Sequence, residues 1–168
     1  YEYLPKLTNE QELITNLRHQ LELLNDYRFT DNEWNSFFTS EIARENMTID
    51  EKTQIIQRDY VLLLTCDNGE NRNIRLLDKR NIHNNRLQVI NQYVSESGMT
   101  KNRYDVTILV NGLPLVHVEL KRRGVDIKQA FNQIARYQRE SFWAGRALFD
   151  YVQIFVISNG THTKYYSN

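Results

Sequence analysis

The chain is poor in the features that would place it in an oxidising compartment or a membrane. Its 168 residues include a single cysteine, Cys66, which excludes an internal disulfide and cannot build a zinc site by itself. A cytoplasmic location is the expectation. No apolar run approaches the roughly 18 residues of a membrane helix, and no signal-peptide pattern opens the chain, so no membrane partner is expected. Internal repeats and coiled-coil heptads are absent, as is any G-x-x-x-x-G-K-[ST] phosphate loop. Net charge is zero, with 21 basic and 21 acidic residues, so the whole-chain balance does not announce a polyanionic partner.

What is present suits one domain with a real core: 40% of residues are hydrophobic and 25% charged. The start at Tyr1 gives the sequence the look of a piece cut from a longer chain. Charge is uneven along it. From His117 to Arg146 seven basic residues (Lys121, Arg122, Arg123, Lys128, Arg136, Arg139, Arg146) face three acids, leaving 14 basic and 18 acidic residues elsewhere. Such a concentration suits phosphates, although a solvated helix face explains it as well.

Periodicity divides the chain in two. Tyr1 to Leu7 reads as an irregular entry. A helix capped by Thr8 or Asn9 then runs to about Leu24, with Leu13, Ile14, Leu17, Leu21 and Leu24 at helical spacing. Thr30 or Asp31 starts a second helix carrying Trp34, Phe37, Phe38 and Ile42, and Thr48 caps a third to about Gln57. The carboxylates of these helices, and His19, read as solvated. From Tyr60 the period becomes two. Strands are expected over Tyr60–Thr65, Asn73–Leu77 and Leu87–Tyr93, with a turn at residues 67–70 and a polar loop at residues 95–101.

The decisive stretch is residues 103–121, two β-rich runs joined at Asn111-Gly112-Leu113. Alternation puts Glu119 and Lys121 on one face and Leu120 on the other. A three-residue loop makes Val110 face Pro114 and sets Asp105 directly opposite Glu119; this arrangement or its bulged equivalent is the expectation. A plain two-residue loop sets Asp105 against Leu120, on the wrong face unless a bulge corrects it. Two carboxylates about 5 Å apart repel, which points to a cation between them. Lys121 completes a site for a hard metal and a water. His117 shares that face, where a packed histidine is the simpler role.

Asp126 is the expected cap of a further helix reaching about Glu140, with Gln129 completing a capping box and Ile127, Ala130, Phe131, Ile134 and Ala135 as its buried stripe. Gln133 and Tyr137, four apart, share one face beside it. They border the core, or they hold DNA or the lysine by hydrogen bonds. Residues 141–150 read as a loop or short helix. Tyr151–Ile157 reads as a strand covered on both faces, and Thr163–Tyr166 as a last strand. The expected class is α/β, a mixed β-sheet flanked by helices on both faces.

Asp105, the hairpin, Glu119-Leu120-Lys121 and Gln133-x-x-x-Tyr137 together resemble the PD-(D/E)xK nuclease pattern with its accessory Q-x-x-x-Y motif. Residues 102–116, 118–125, 131–137 and 155–160 are similar to the restriction (R) subunit of type I restriction-modification enzymes. Asp31-Asn-Glu-Trp34 and Leu77-Asp-Lys79 fit the same family. The resemblance implies a restriction-endonuclease-like fold over residues 1–168, forming an endonuclease domain of a larger ATP-dependent subunit. It implies Mg²⁺ held by Asp105 and Glu119, Lys121 as the third catalytic residue, and Gln133, Tyr137, Arg122, Arg123 and Arg136 supporting the site or contacting double-stranded DNA. It also implies helicase-like motor domains in the same polypeptide, where ATP would act, and methyltransferase and specificity subunits as partners. Two departures stand out. Tyr104 replaces the proline of the pattern, and the family's domain begins with a further helix, often bearing an acid, upstream of Tyr1. Another PD-(D/E)xK nuclease, acting as junction resolvase or repair enzyme, is one rival reading. A non-catalytic DNA-binding or docking module on the same fold is the other.

Overall fold

A computed structural model describes residues 1–95, 102–138 and 148–167. The fold is mixed α/β, as expected. Its elements are β1 (Glu2–Tyr3), α1 (Glu10–Asn25), α2 (Asp31–Phe37), α3 (Ile49–Gln57), β2 (Val61–Thr65), β3 (Asn71–Arg75), β4 (Leu87–Ser95), β5 (Asn102–Val110), β6 (Leu113–Leu120), α4 (Ile127–Tyr137), β7 (Ile154–Ser158) and β8 (Thr163–Ser167). Six strands form one mixed sheet in the order β1-β4-β5-β6-β7-β8, with β1–β4 and β6–β7 parallel, while β2 and β3 form a separate hairpin. The entry segment thus contributes a short parallel edge strand that its sequence did not announce.

Local chemistry sets the helix starts. Asn9 accepts from the Glu12 N–H. Thr30 with Glu33, and Thr48 with Glu51, close reciprocal capping boxes. Asp126 caps α4 through the Lys128 N–H, so the expected partnership with Gln129 is not what secures that end. After Phe37 the chain continues through a π-helical turn, Phe38–Ile42, which places Ile42 in the core.

The core lies against one face of the large sheet. Gln88, Ile90, Thr107, Leu109, His117, Glu119 and Phe155 on that face are all buried. Helix α1 reaches it through Asn16, hydrogen-bonded to Gln88 at 2.9 Å, and α4 through Tyr137, which meets the His117 ring. On the opposite face Val89, Val106, Ile108, Val116, Val118 and Val156 are only half-buried. Among the described residues, α1 and α4 therefore share a face instead of flanking the sheet. The same layering explains β7. Expected to be covered on both faces, it alternates, with Phe155 buried and Ile154 41% exposed. Helix α1 also seats the β5–β6 turn. A methyl group at Gly112, whose φ is +83°, would lie 2.6 Å from Leu17 Cα, so only glycine permits this approach.

Candidate active site

The hairpin of β5 and β6 turns on two residues, Asn111 (φ 50°) and Gly112 (φ 83°), with Val110 facing Leu113. Positive φ at both positions matches the twist of the strands they join. The three-residue loop is not formed; its bulged equivalent is. Leu109 pairs with Pro114 but Ile108 pairs with Val116, so Leu115 is an extra residue on β6. The bulge corrects the parity. Thr107 then faces His117 and Val106 faces Val118, the last pair of the ladder, with Asp105 and Glu119 the next residue on each strand. A neighbouring strand steadies the bulge, since the Gln153 N–H donates to the Leu115 carbonyl at 2.9 Å.

Ladder pairing of the two strands ends at Val106 and Val118. Just beyond, Asp105 Oδ2 accepts the Leu120 N–H at 2.9 Å, which ties its half-exposed carboxylate to the end of β6. Its Oδ1 accepts no hydrogen bond among the described residues. Glu119 is fully buried: Oε1 accepts from Lys121 Nζ at 2.7 Å, while Oε2 has no hydrogen-bond donor among the described residues. A buried carboxylate oxygen without a donor is costly, and a cation is the usual remedy. His117 Nε2 lies 3.7 Å from that oxygen, and Nδ1 lies 3.5 Å from Thr107 Oγ1. The imidazole is 0% exposed and sits against the rings of Tyr104, Tyr137 and Phe155. It is a packed histidine, out of reach of a substrate.

Lys121 is held from two sides. Besides Glu119 it donates to Gln133 Oε1 at 2.6 Å; the Gln133 amide donates to the Tyr137 hydroxyl, which donates to the Arg103 carbonyl at 3.0 Å. Residues four apart on α4 thus form a relay from the lysine to the β5 backbone. Gln133 and Tyr137 thus reach the lysine by hydrogen bonds, and Tyr137, 2% exposed, borders the core as well. Burial pushes the Tyr137 hydroxyl up from its ordinary pKa and the Glu119 charge adds to this, with the Gln133 hydrogen bond opposing. Tyr104, where the family pattern has proline, is 1% exposed and packs between Tyr93, Tyr137 and Phe149 beneath the site.

The expected arginines divide. Arg122 and Arg123 follow Lys121 directly and are exposed. Arg136 is exposed on α4 with its guanidinium 5.4 Å from the Tyr137 ring centroid. Arg139 and Arg146 lie outside the described residues. Phe131, expected in the buried stripe, is 46% exposed, with its ring against Tyr166. Tyr137 takes the buried position instead, because α4 is rotated to turn Gln133 toward the lysine.

Sequence reading missed the charged groups buried in the helical layer. Lys52 on α3 pairs with Asp150, and their side chains are 3% and 5% exposed. Burial pushes the Asp150 carboxyl above its ordinary range and Lys52 opposes that shift. Glu10, exposed at the start of α1, is raised too, by partial desolvation and then by the Asp150 charge. Glu33, expected to be solvated, is buried. Burial would raise it, but N–H donors from Thr30 and Asp67 and the Tyr27 hydroxyl hold it below the usual range. An apolar groove of about 740 Å³ beside α1, lined by Leu4, Pro5, Leu7 and His19, includes none of the site residues.

No cluster of three or more His, Cys, Asp or Glu side chains suited to a metal occurs among the described residues. Mg²⁺ needs no such cage, because it retains several waters and is held by one or two carboxylates. Asp105 and Glu119 with their donor-free oxygens fit that requirement.

Comparison with known proteins gives the chain its relatives. The family model described as the type I restriction enzyme R protein N terminus matches residues 1–168. The chain is 50% identical over 168 residues to the type I restriction enzyme EcoprrI endonuclease subunit of Escherichia coli, covering all of this chain and 53% of that protein. It is 42% identical over 167 residues to the SsaAORF53P endonuclease subunit of Staphylococcus saprophyticus, covering 96% of this chain and 17% of that protein. With the HindI endonuclease subunit of Haemophilus influenzae it shares 39% identity over 109 residues, 61% of this chain and 10% of that protein. The chain therefore spans about half of one relative and a sixth or less of the other two. Matched from end to end by the family model, this chain belongs to the type I restriction enzyme R protein N-terminal family.

Proposed function

We propose that the chain is a Mg²⁺-dependent endonuclease domain of PD-(D/E)xK type that cuts double-stranded DNA within a type I restriction enzyme. Cutting would be coupled to ATP-driven translocation by helicase-like motor domains of the same polypeptide, in a complex with methyltransferase and specificity subunits. One observation carries the reading. Glu119 is completely buried, one oxygen on Lys121 and the other without a donor among the described residues, while Asp105 is tied to the backbone of the next residue, Leu120.

Phosphodiester hydrolysis needs a nucleophilic water, neutralisation of the charge that develops on the phosphoryl oxygens, and support for the leaving 3′ oxygen. Mg²⁺, when bound, supplies concentrated positive charge and lowers the pKa of water. Asp105 Oδ1 and Glu119 Oε2 are the groups that would hold it. Lys121 spends two of its three N–H donors on Glu119 and Gln133, which leaves one for the attacking water or a phosphoryl oxygen. Because Gln133 and Tyr137 fix the ammonium before substrate arrives, it need not reorganise in the transition state. Arg122, Arg123 and Arg136 add sequence-independent attraction for the DNA backbone.

The test is cleavage of supercoiled plasmid by the full-length subunit in its complex, with ATP and Mg²⁺, comparing wild type with Asp105→Ala, Glu119→Ala and Lys121→Ala. Loss of cutting with ATPase intact supports the reading. Undiminished cutting in all three would make this domain a docking module, and preference for branched or nicked DNA over linear duplex would favour a different nuclease of the same fold.

A further inference from the structure

At the end of β6 that carries Lys121, a second loop is built into the site. The β7–β8 turn, residues 158–162, lies beside the loop Lys121–Val125 because β6 and β7 run parallel, and the Lys121 N–H donates to the Ser158 carbonyl at 2.8 Å. Asn159 joins the two loops. Only 6% exposed, it uses Oδ1 to accept the Thr161 and His162 N–H groups at 3.0 and 2.8 Å, which shapes its own turn. Its Nδ2 does something a turn does not require: it crosses to the other loop and donates to the Val125 carbonyl at 2.9 Å. Gly160 completes the junction. A methyl group there would lie 3.4 Å from Arg123 Cγ and 3.6 Å from its Nε, so the arginine stem runs over the bare turn.

Arg123 is thereby an exposed guanidinium with a supported stem, two residues from the lysine, and it forms no ion pair among the described residues. An exposed cation gains little from wandering freely. One held in place keeps its planar fork ready for an oxyanion and loses less entropy on binding. We propose, on the nuclease reading above, that the β7–β8 turn is a positioning element for substrate. Asn159 fixes the turn over which the Arg123 stem lies, and from there Arg123 grips a phosphate of the strand being cut, next to the scissile one. Asn159 acts through Arg123 and does not touch the DNA.

The substitution Asn159→Asp isolates the brace. Aspartate keeps the acceptor that shapes the turn but sets a carboxylate oxygen, in place of the N–H donor, against the Val125 carbonyl. The assay is plasmid cleavage by the full-length subunit in its complex across a KCl series, with ATPase followed in parallel. Asn159→Asp and Arg123→Ala should each slow cleavage roughly tenfold, the loss expected for one charge-assisted contact. Each should also lower the log–log salt slope by roughly one. The double variant should be no slower than either single one. A merely structural role for Asn159 predicts that the two losses multiply, and that outcome, or unchanged cleavage in Arg123→Ala, overturns the proposal. Should Asn159→Asp not fold, Asn159→Ser, whose hydroxyl can still accept within the turn but is too short to reach the Val125 carbonyl, takes its place in the same cycle with Arg123→Ala. Lys121→Ala separates the two levels: if it still cuts, the nuclease reading itself has failed, whereas its inactivity beside a fully active Asn159→Asp defeats only the brace.

Discussion

Lys121→Met removes the lysine paired with a carboxylate that has no access to water. Glu119 is 0% exposed and Lys121 20% exposed in the side chain, at 2.7 Å. At an effective dielectric of about 20 their gross attraction is about 6 kcal/mol, but desolvation consumes much of that. Removing one partner of a buried pair costs about 3–5 kcal/mol, and the partial exposure of Lys121 sets the expectation near the lower end, about 3 kcal/mol. For a domain of this size that is a fall in Tm of about 6–12 °C. The second substitution Glu119→Gln in the same chain should recover most of it, because no charge is then left buried. Thermal unfolding in EDTA and in excess Mg²⁺ reads both effects. Mg²⁺ should raise the Tm of Lys121→Met by more than that of wild type, since in the variant the ion takes over from the missing ammonium on Glu119. A variant as stable as wild type would refute the burial argument. One that is destabilised yet indifferent to Mg²⁺ would refute a metal position at Glu119.

Tyr137→Phe keeps the ring against Tyr104 and His117 but removes the hydroxyl that bridges Gln133 and the Arg103 carbonyl; it should cost about 1–2 kcal/mol and slow plasmid cleavage while leaving DNA retention unchanged. Lys52→Met leaves Asp150 buried without its cation. A carboxyl raised above its ordinary range favours the folded state in acid and loses that contribution as pH rises through the raised value, and without Lys52 nothing opposes the raising. Urea unfolding should therefore find the variant about 3 kcal/mol less stable than wild type at pH 7.5 and closer to it at pH 5; equal losses at both would contradict the assignment. Gly112→Ala forces a Cβ to 2.6 Å from the Leu17 backbone at a positive φ, and a loss of about 3 kcal/mol in denaturant titration is expected.

The elements with local causes were legible in the chain. Thr30 and Thr48 mark helix starts in the sequence, and in the fold each closes a capping box, with Glu33 and Glu51. Asn111-Gly112 announces a tight hairpin, and strand parity puts Glu119 and Lys121 on one face whatever surrounds them. The sequence narrowed Gln133 and Tyr137 to two roles by helical spacing alone. What it could not decide depends on partners far along the chain. The extra residue at Leu115, which sets Thr107 against His117 and Val106 against Val118, is steadied by Gln153. Lys52 finds Asp150 across 98 positions, and neither looks buried within its own segment. The layering likewise follows from where α1 and α4 dock, which turned Phe131 outward and left half of the apolar sheet only partly covered. Caps, turns and alternation arise from neighbours a few residues apart, whose geometry the backbone fixes. Burial and charge pairing arise from which surfaces meet, and only the folded chain decides that.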